Sequence, residues 1–213
     1  GMGAILHDIG KCKVPVEILR KPDRLTDEEF HLMKMHTVYG CEIVKNTYRL
    51  STKIANIAFQ HHEKWDGSGY PMGIYNNEID PLSRIVALAD VYDALVSDRP
   101  YRLAYPPHRA LEIFQLEEEG YDPEVFQVFS RHVAAYPVGT LVGISNGLIG
   151  IVVHNFAGLP TRPKVRIFGE KGSLERLPAY ELDLSVRSNI NLVIDEVYED
   201  QNLISDFELM LTK

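Results

Sequence analysis

The spacing of apolar positions changes character near residue 135. Up to about residue 134 they recur at helical intervals; from Pro137 they come in short runs between turn residues, as strands do. Ala4-Ile5-Leu6 starts the helical part, and Gly10 reads as the left-handed residue that ends this first short helix. Pro15 sits where a proline opens a short helix, over Val16 to Leu19. Thr26-Asp27-Glu28-Glu29 has the spacing of a capping box, followed by Phe30, Met33, His36, Val38 and Ile43-Val44. Ser51 is placed to cap the next helix, which carries Ile54, Ile57 and Ala58 toward His61-His62. Asp80-Pro81 opens a longer helix through Leu88-Ala89 and Ala94-Leu95, which Arg99-Pro100 breaks. Pro106-Pro107 and Asp122-Pro123 start two more, ending near Ala134.

Between the helices, residues 65–80 are rich in breakers: Gly67, Gly69, Pro71, Gly73 and Asn76-Asn77. A connection of that length inside a compact helical domain is usually functional. In the second part, Leu141 to Ile144, Asn146-Gly147 and Ile149 to Val153 read as a hairpin with a tight turn. Val165 to Phe168 and Ile190 to Val197 supply two further strands. The expected organisation is a mainly α protein: a helical domain over 1–134, then a small antiparallel sheet or barrel over 135–213.

Composition narrows the class. The chain has 213 residues, 45% hydrophobic and 24% charged, which excludes a disordered chain, a collagen-like repeat and a disulfide scaffold. No apolar run approaches the roughly 18 residues that span a bilayer, and no secretory signal opens the chain, so a cytoplasmic compartment is expected. The net charge of -8 argues against a broad basic surface for nucleic acid. A small anionic substrate is compatible with that charge if a bound metal ion inverts the local field. Cys12 and Cys41 form no CxxC pair and read as reduced packing residues.

Four of the eight histidines fall in suggestive company: His7 beside Asp8, His36, and the adjacent pair His61-His62. Asp90 ends the apolar run Ala87-Leu88-Ala89, where an unpaired carboxylate is costly. Imidazoles and carboxylates without thiolates suit a hydrolytic site for manganese, iron, nickel or zinc. A carboxylate between two imidazole groups also suits a bridge between two ions. Taken singly, these residues have ordinary readings. A helix histidine bonds a local carbonyl, adjacent histidines point about 100° apart, and Asp90 pairs with Arg84 or Arg99. His31, His108, His132 and His154 read as exposed or locally bonded, and Trp65 as packing under the loop.

Together the residues match a known pattern. His7-Asp8-Ile9-Gly10-Lys11, His61-His62-Glu63-Lys64-Trp65-Asp66-Gly67-Ser68-Gly69-Tyr70-Pro71 and Asp90-Val91-Tyr92-Asp93-Ala94-Leu95 closely resemble the HD-GYP subgroup of HD-domain phosphohydrolases. Lys21-Pro22, Leu25-Thr26, His36 to Gly40 and Arg99-Pro100-Tyr101-Arg102 match the same pattern, over about residues 4–134. The resemblance implies an HD-type helical bundle holding two or three divalent transition-metal ions. It also implies hydrolysis of cyclic di-GMP to linear pGpG or GMP. By motif the metal ligands are His7, Asp8, His36, His61, His62 and Asp90, with Asp8 bridging. Iron and manganese are favoured over zinc, because an oxygen-and-imidazole site with open positions suits six-coordinate ions.

Lys11, one turn from His7 and Asp8, is then a catalytic charge or an aid to the leaving oxygen. Gly69 and Tyr70 form a loop against the substrate, which in the family also contacts GGDEF-type diguanylate cyclases. Arg99 and Arg102 are the implied phosphate clamps, and Asp93 orients a ligand, Lys11 or substrate. The alternatives are hydrolysis of another cyclic dinucleotide or nucleotide, and a noncatalytic binding or signalling module. The tail resembles the β-rich extension that often follows this domain. In the family a helix upstream of the His-Asp pair packs over the site and usually adds a ligand, whereas six residues precede His7 here. The Gly1-Met2 start therefore reads as a cut from a longer protein or a misplaced start, ahead of a short protein without that helix, and the uncovered apolar surface predicts a homo-oligomer.

Overall fold

The computed structural model describes residues 1–99, 102–172 and 177–198. The chain divides into two compact units, one of Gly1–Pro106 with Glu112–Gln127, the other of Pro107–Leu111 with Val128–Lys213. Pro100 and Tyr101 lie outside the described residues. No helix among the described residues is long and apolar enough to cross a membrane.

The helices are α1 (Met2–Leu6), α2 (Val16–Leu19), α3 (Asp27–Lys34), α4 (His36–Glu42), α5 (Thr52–Gln60), α6 (Pro81–Val96), α7 (Pro107–Leu116) and α8 (Pro123–His132). Their starts follow the expected chemistry. Pro15 is the cap residue of α2, and the Thr26 hydroxyl accepts from the Glu29 N–H while the Glu29 carboxylate accepts from the Thr26 N–H. Asp80 accepts from the Leu82 N–H and Pro81 opens α6. Ser51 occupies the cap position of α5 without making a side-chain cap bond.

Gly10 corrects one expectation. It lies inside a 3-10 turn, Ile9–Lys13, and is not among the left-handed glycines. Its reason is proximity: a Cβ there would stand 1.9 Å from the His36 carbonyl oxygen and 2.4 Å from the Gly40 nitrogen. The turn therefore lies directly on the backbone of α4, which in turn packs Gly40 against Ala58 of α5. Behind this contact Val44, Ala55 and Ala58 form a small core with Leu6, Ile9, Cys41, Leu50 and Ile54 around it. Cys41 packs as expected; Cys12, on the outer side of the same 3-10 turn, is exposed.

The second unit carries a five-stranded antiparallel sheet. Its strands are β1 (Leu141–Ile144), β2 (Leu148–Phe156), β3 (Leu159–Glu170), β4 (Tyr180–Asp183) and β5 (Ile194–Tyr198), in the spatial order β4-β3-β2-β1-β5. The Asn146-Gly147 hairpin forms: Gly147 has φ 87° and donates its N–H to the Ile144 carbonyl at 2.8 Å. Val142, Ile144, Val152, Val165, Ile167 and Leu184 make the core of this unit, each no more than 1% exposed. Three details differ from expectation. The third strand begins at Leu159, because it pairs back along β2 as far as Phe156. The fifth begins only at Ile194, after a 3-10 turn at Arg187–Asn189. The four-residue edge strand β4, Tyr-Glu-Leu-Asp, carries too little apolar signal to be read in advance.

Candidate metal centre

Four separate stretches of the first unit bring titratable side chains to one place. His7 follows α1, and Asp8 leads into the 3-10 turn. His36 is the first residue of α4, His61-His62 follow α5, and Asp90 lies within α6. The glycine contact at Gly10 is what lets the His7-Asp8 segment approach His36 so closely.

Backbone carbonyls set the orientation of three of the rings. His7 Nδ1 donates to the Ala4 carbonyl at 2.6 Å and His36 Nδ1 to the Met33 carbonyl at 2.6 Å. His61 Nδ1 lies 3.1 Å from the carbonyls of both Ile57 and Ala58. A carbonyl only accepts, so Nδ1 carries the proton and the neutral ring keeps its lone pair on Nε2. Those Nε2 atoms converge on carboxylates. His7 Nε2 is 3.3 Å from Asp8 Oδ2 and 3.4 Å from Asp90 Oδ1. His36 Nε2 and His61 Nε2 are 3.4 and 3.7 Å from Asp8 Oδ1, and 3.3 Å from each other.

This is an arrangement of acceptors facing acceptors. His7 Nε2 and Asp8 Oδ1 are buried without a hydrogen-bond partner, which is costly unless a cation or a proton intervenes. Asp8, His36, His61 and His62 each offer one ligand atom, all within 4.8 Å of one another. Such a donor set, with the Nδ1 atoms of His36 and His61 already bonded to carbonyls, fits a divalent cation.

The electrostatics sort the rings into different states. Facing Asp8 and then Asp90, the His7 ring is raised to about 10 against the opposing effect of burial, so a proton on Nε2 stands in for a cation between these groups. Burial, followed by the neighbouring His61 and His36, pushes His62 down to about 3, so its ring is neutral and able to ligate. His36 is lowered chiefly by burial as well. Burial would raise the Asp8 carboxyl, but the His61 and His7 rings facing it and the Lys11 ammonium outweigh it and hold it far below the usual carboxylate range. Asp90 is lowered by the His7 ring facing it. Tyr70 is raised by burial and then by Asp8 and Asp90, and remains a phenol.

Around the cluster, Lys11 Nζ sits 2.5 Å from Asp8 Oδ2. Tyr70 stacks on the His62 ring, with centroids 4.7 Å apart and planes at 28°, and its N–H donates to the His62 carbonyl at 3.0 Å. Gly69 is required by the loop's own packing, since a Cβ there would fall 2.3 Å from the Lys64 nitrogen and 2.5 Å from the His62 carbonyl oxygen. Arg102 is engaged elsewhere: its guanidinium donates to the carbonyls of Ala94, Leu95 and Leu103 at 2.6, 3.1 and 3.0 Å and lies over the Tyr105 ring. Arg99 and Asp93 are exposed. No hydrogen bond or ion pair joins Arg99, Arg102 or Asp93 to the cluster among the described residues.

With this geometry in place, comparison with known proteins gives the family. The profile described as HD domain matches residues 2–125. The chain belongs to the HD domain family. A second profile, described as a KOW domain associated with HD domain, matches residues 141–205. The resemblance to HD-GYP proteins read from the motifs stands. A cyclic di-GMP phosphodiesterase of Pseudomonas aeruginosa is 37% identical over 184 residues, covering 86% of this chain and 44% of the relative. A cyclic di-GMP phosphodiesterase of Thermotoga maritima is 48% identical over 130 residues, 60% of this chain and 35% of the relative. A 3'3'-cGAMP-specific phosphodiesterase of Vibrio cholerae is 40% identical over 137 residues, 63% of this chain and 29% of the relative. The chain thus spans less than half the length of these curated relatives.

Within the HD domain, one residue of the central motif has a role that residue type alone did not announce. Glu63 is 4% exposed, and its Oε1 accepts from the Met72 N–H at 2.7 Å. The N–H groups of Gly73 and Ile74 also face it; burial raises its carboxyl, and the three N–H groups oppose that only in part. Glu63 thereby ties the loop after Pro71 to the base of the histidine pair. Trp65 packs as expected: the Arg84 guanidinium lies 5.0 Å over its ring and is itself held by buried Asp122 at 2.9 Å. Of the remaining histidines, His31, His132 and His154 are exposed, and His108 stacks on Tyr136.

Proposed function

We propose that the HD domain of this chain hydrolyses cyclic di-GMP to pGpG or GMP with two or three divalent metal ions, iron or manganese. The observation that carries this reading is the convergence of carbonyl-oriented Nε2 atoms on Asp8, whose Oδ1 has no hydrogen-bond donor. His7, Asp8, His36, His61, His62 and Asp90 are the proposed ligands. Asp8 would be the residue suited to hold more than one ion, because its two oxygens face different histidines: Oδ2 faces His7, and Oδ1 faces His36 and His61. When bound, the ions supply Lewis-acid polarisation of the scissile phosphodiester and ionise water at neutral pH.

The remaining work falls to the chain's own groups. The carbonyls of Ala4, Met33, Ile57 and Ala58 hold the rings in one tautomer, so the donor set is preorganised. The Lys11 ammonium, held on Asp8, places positive charge where the phosphoryl centre and the departing ribose oxygen gain negative charge, and can return a proton to that oxygen. Tyr70, stacked on His62, walls one side of the centre and excludes water from it. The exposed guanidinium of Arg99 is available to a phosphate oxygen. We place Arg102 behind it as a brace, because its donors already hold the carbonyls at the end of α6. Asp93 orients substrate from the exposed side of α6.

The test is product analysis. Protein purified without oxygen and loaded with iron or manganese should convert cyclic di-GMP to pGpG or GMP. The His61→Ala/His62→Ala protein should lose both activity and metal content. Turnover of 3'3'-cGAMP without cyclic di-GMP would replace the substrate, and binding without turnover in either metal would replace the enzyme with a binding module.

A further inference from the structure

Helix α3 contributes nothing to the core: none of its residues is buried, and Phe30 is 43% exposed. It is nevertheless held firmly. The Thr26–Glu29 capping box closes its first turn, and Lys21 Nζ bonds both Glu29 oxygens at 2.6 and 2.9 Å. A fixed surface helix that keeps an aromatic ring in water invites a ligand, and the surroundings of this ring say which kind. Phe30 meets Tyr70 edge-on at 6.1 Å, and Tyr70 stacks on His62 of the metal centre. One turn along α3, Lys34 Nζ stands 4.6 Å over the Phe30 ring and 5.5 Å over the Tyr70 ring. No carboxylate pairs with Lys34 among the described residues.

A cyclic dinucleotide carries two phosphates and two bases. With one phosphodiester at the metal centre, the second phosphate and a base project beyond it and need their own partners. We propose that Phe30 and Lys34 form this outer subsite: Phe30 stacks a purine base, and Lys34 takes the second phosphate. The inference rests on the cyclic-dinucleotide reading above and adds its specificity. Stacking on an aromatic ring favours the larger face of a purine over a pyrimidine. The long stem of Lys34 lets its ammonium exchange the ring faces for a phosphate oxygen, which frees the Phe30 face for the base.

The experiment measures equilibrium binding of the hydrolysis-resistant phosphorothioate analogues of cyclic di-GMP and cyclic di-UMP, and of GMP, to the metal-loaded chain by calorimetry, with hydrolysis of cyclic di-GMP itself followed separately. Wild type is compared with Phe30→Leu, Phe30→Trp, Lys34→Met and Lys34→Arg, after thermal melts show the variants folded. Phe30→Leu should weaken cyclic di-GMP binding about tenfold, the value of one lost stack, and cyclic di-UMP less. Phe30→Trp should restore it. Lys34→Met should weaken both cyclic dinucleotides while leaving GMP unchanged, and Lys34→Arg should bind nearly as wild type. Wild-type affinities in Phe30→Leu and Lys34→Met, or equal losses for all three ligands, would overturn the subsite. If cyclic di-GMP is hydrolysed normally by both variants, the subsite falls and the phosphodiesterase reading stands. If wild type binds without hydrolysis and the variants lose binding, the subsite stands and the phosphodiesterase reading falls.

Discussion

The two units of this chain are built on opposite rules for burial. In the sheet unit the interior is Val142, Ile144, Val152, Val165, Ile167 and Leu184, aliphatic side chains that need nothing from outside. In the HD unit the buried set includes His36, Thr37, His61, Glu63 and Ser83, and two atoms beside them, His7 Nε2 and Asp8 Oδ1, have no hydrogen-bond partner. The first kind of interior is complete once it excludes water. The second is complete only when a cation or proton joins it. Stability is therefore intrinsic in one unit and linked to a ligand in the other.

This contrast can be tested with glycines first, where the largest effect is expected. Gly10→Ala puts a methyl group into the His36 carbonyl, which only a shift of backbone relieves. It should cost more than about 4 kcal/mol, or prevent folding of the HD unit. Gly147→Ala meets no atom within 4 Å and pays only for its φ of 87°, about 1 kcal/mol. Urea denaturation of the two variants checks the ordering; equal costs would remove the claim that the metal centre depends on backbone contact.

The next effect separates the two interiors by ligand. Stripping metal with a chelator should lower the protection of α4 and α5 amides by about 2–3 kcal/mol, as for a ligand held at a hundredfold above its Kd. Amides of β2 and β3 should be unchanged by hydrogen exchange. Ile167→Ala reverses the pattern: about 3 kcal/mol lost from the sheet, with metal content untouched. Thr26→Ala belongs with Gly147→Ala at the small end: it removes the cap of α3 for about 1 kcal/mol by thermal denaturation and leaves metal binding intact.

Much of the HD unit was legible because its signals are local. Capping chemistry at Thr26 and Asp80, the prolines at 15, 81, 107 and 123, and the turn glycine at 147 act within a few residues of themselves. The histidine and aspartate candidates were legible for another reason: they stand in motifs long enough to resemble one family. What was not legible depended on distant backbone. Gly10 looked like a helix terminator, because its sequence neighbours cannot show that α4 runs across it. Gly69 likewise looked like a residue clearing space for a ligand, although its nearest atoms are those of residues 62–64. Arg102 carries the same guanidinium whether it meets phosphate or three carbonyls, and only the end of α6 decides that. The edge strand β4 was missed since its pairing with β3, rather than its composition, makes it a strand.

The sequence by itself determined the order and type of the main elements, the change from helix to sheet, and which histidines and aspartates were candidates for a common site. Those depend on side-chain chemistry and on periodicities of two and 3.6 residues, which are written in adjacent positions. The tertiary structure alone decided which acceptors face one another, which nitrogen of each ring is left free, and why Phe30 stays in water beside Lys34. These follow from where carbonyls of other segments fall, and a carbonyl has no letter in the sequence.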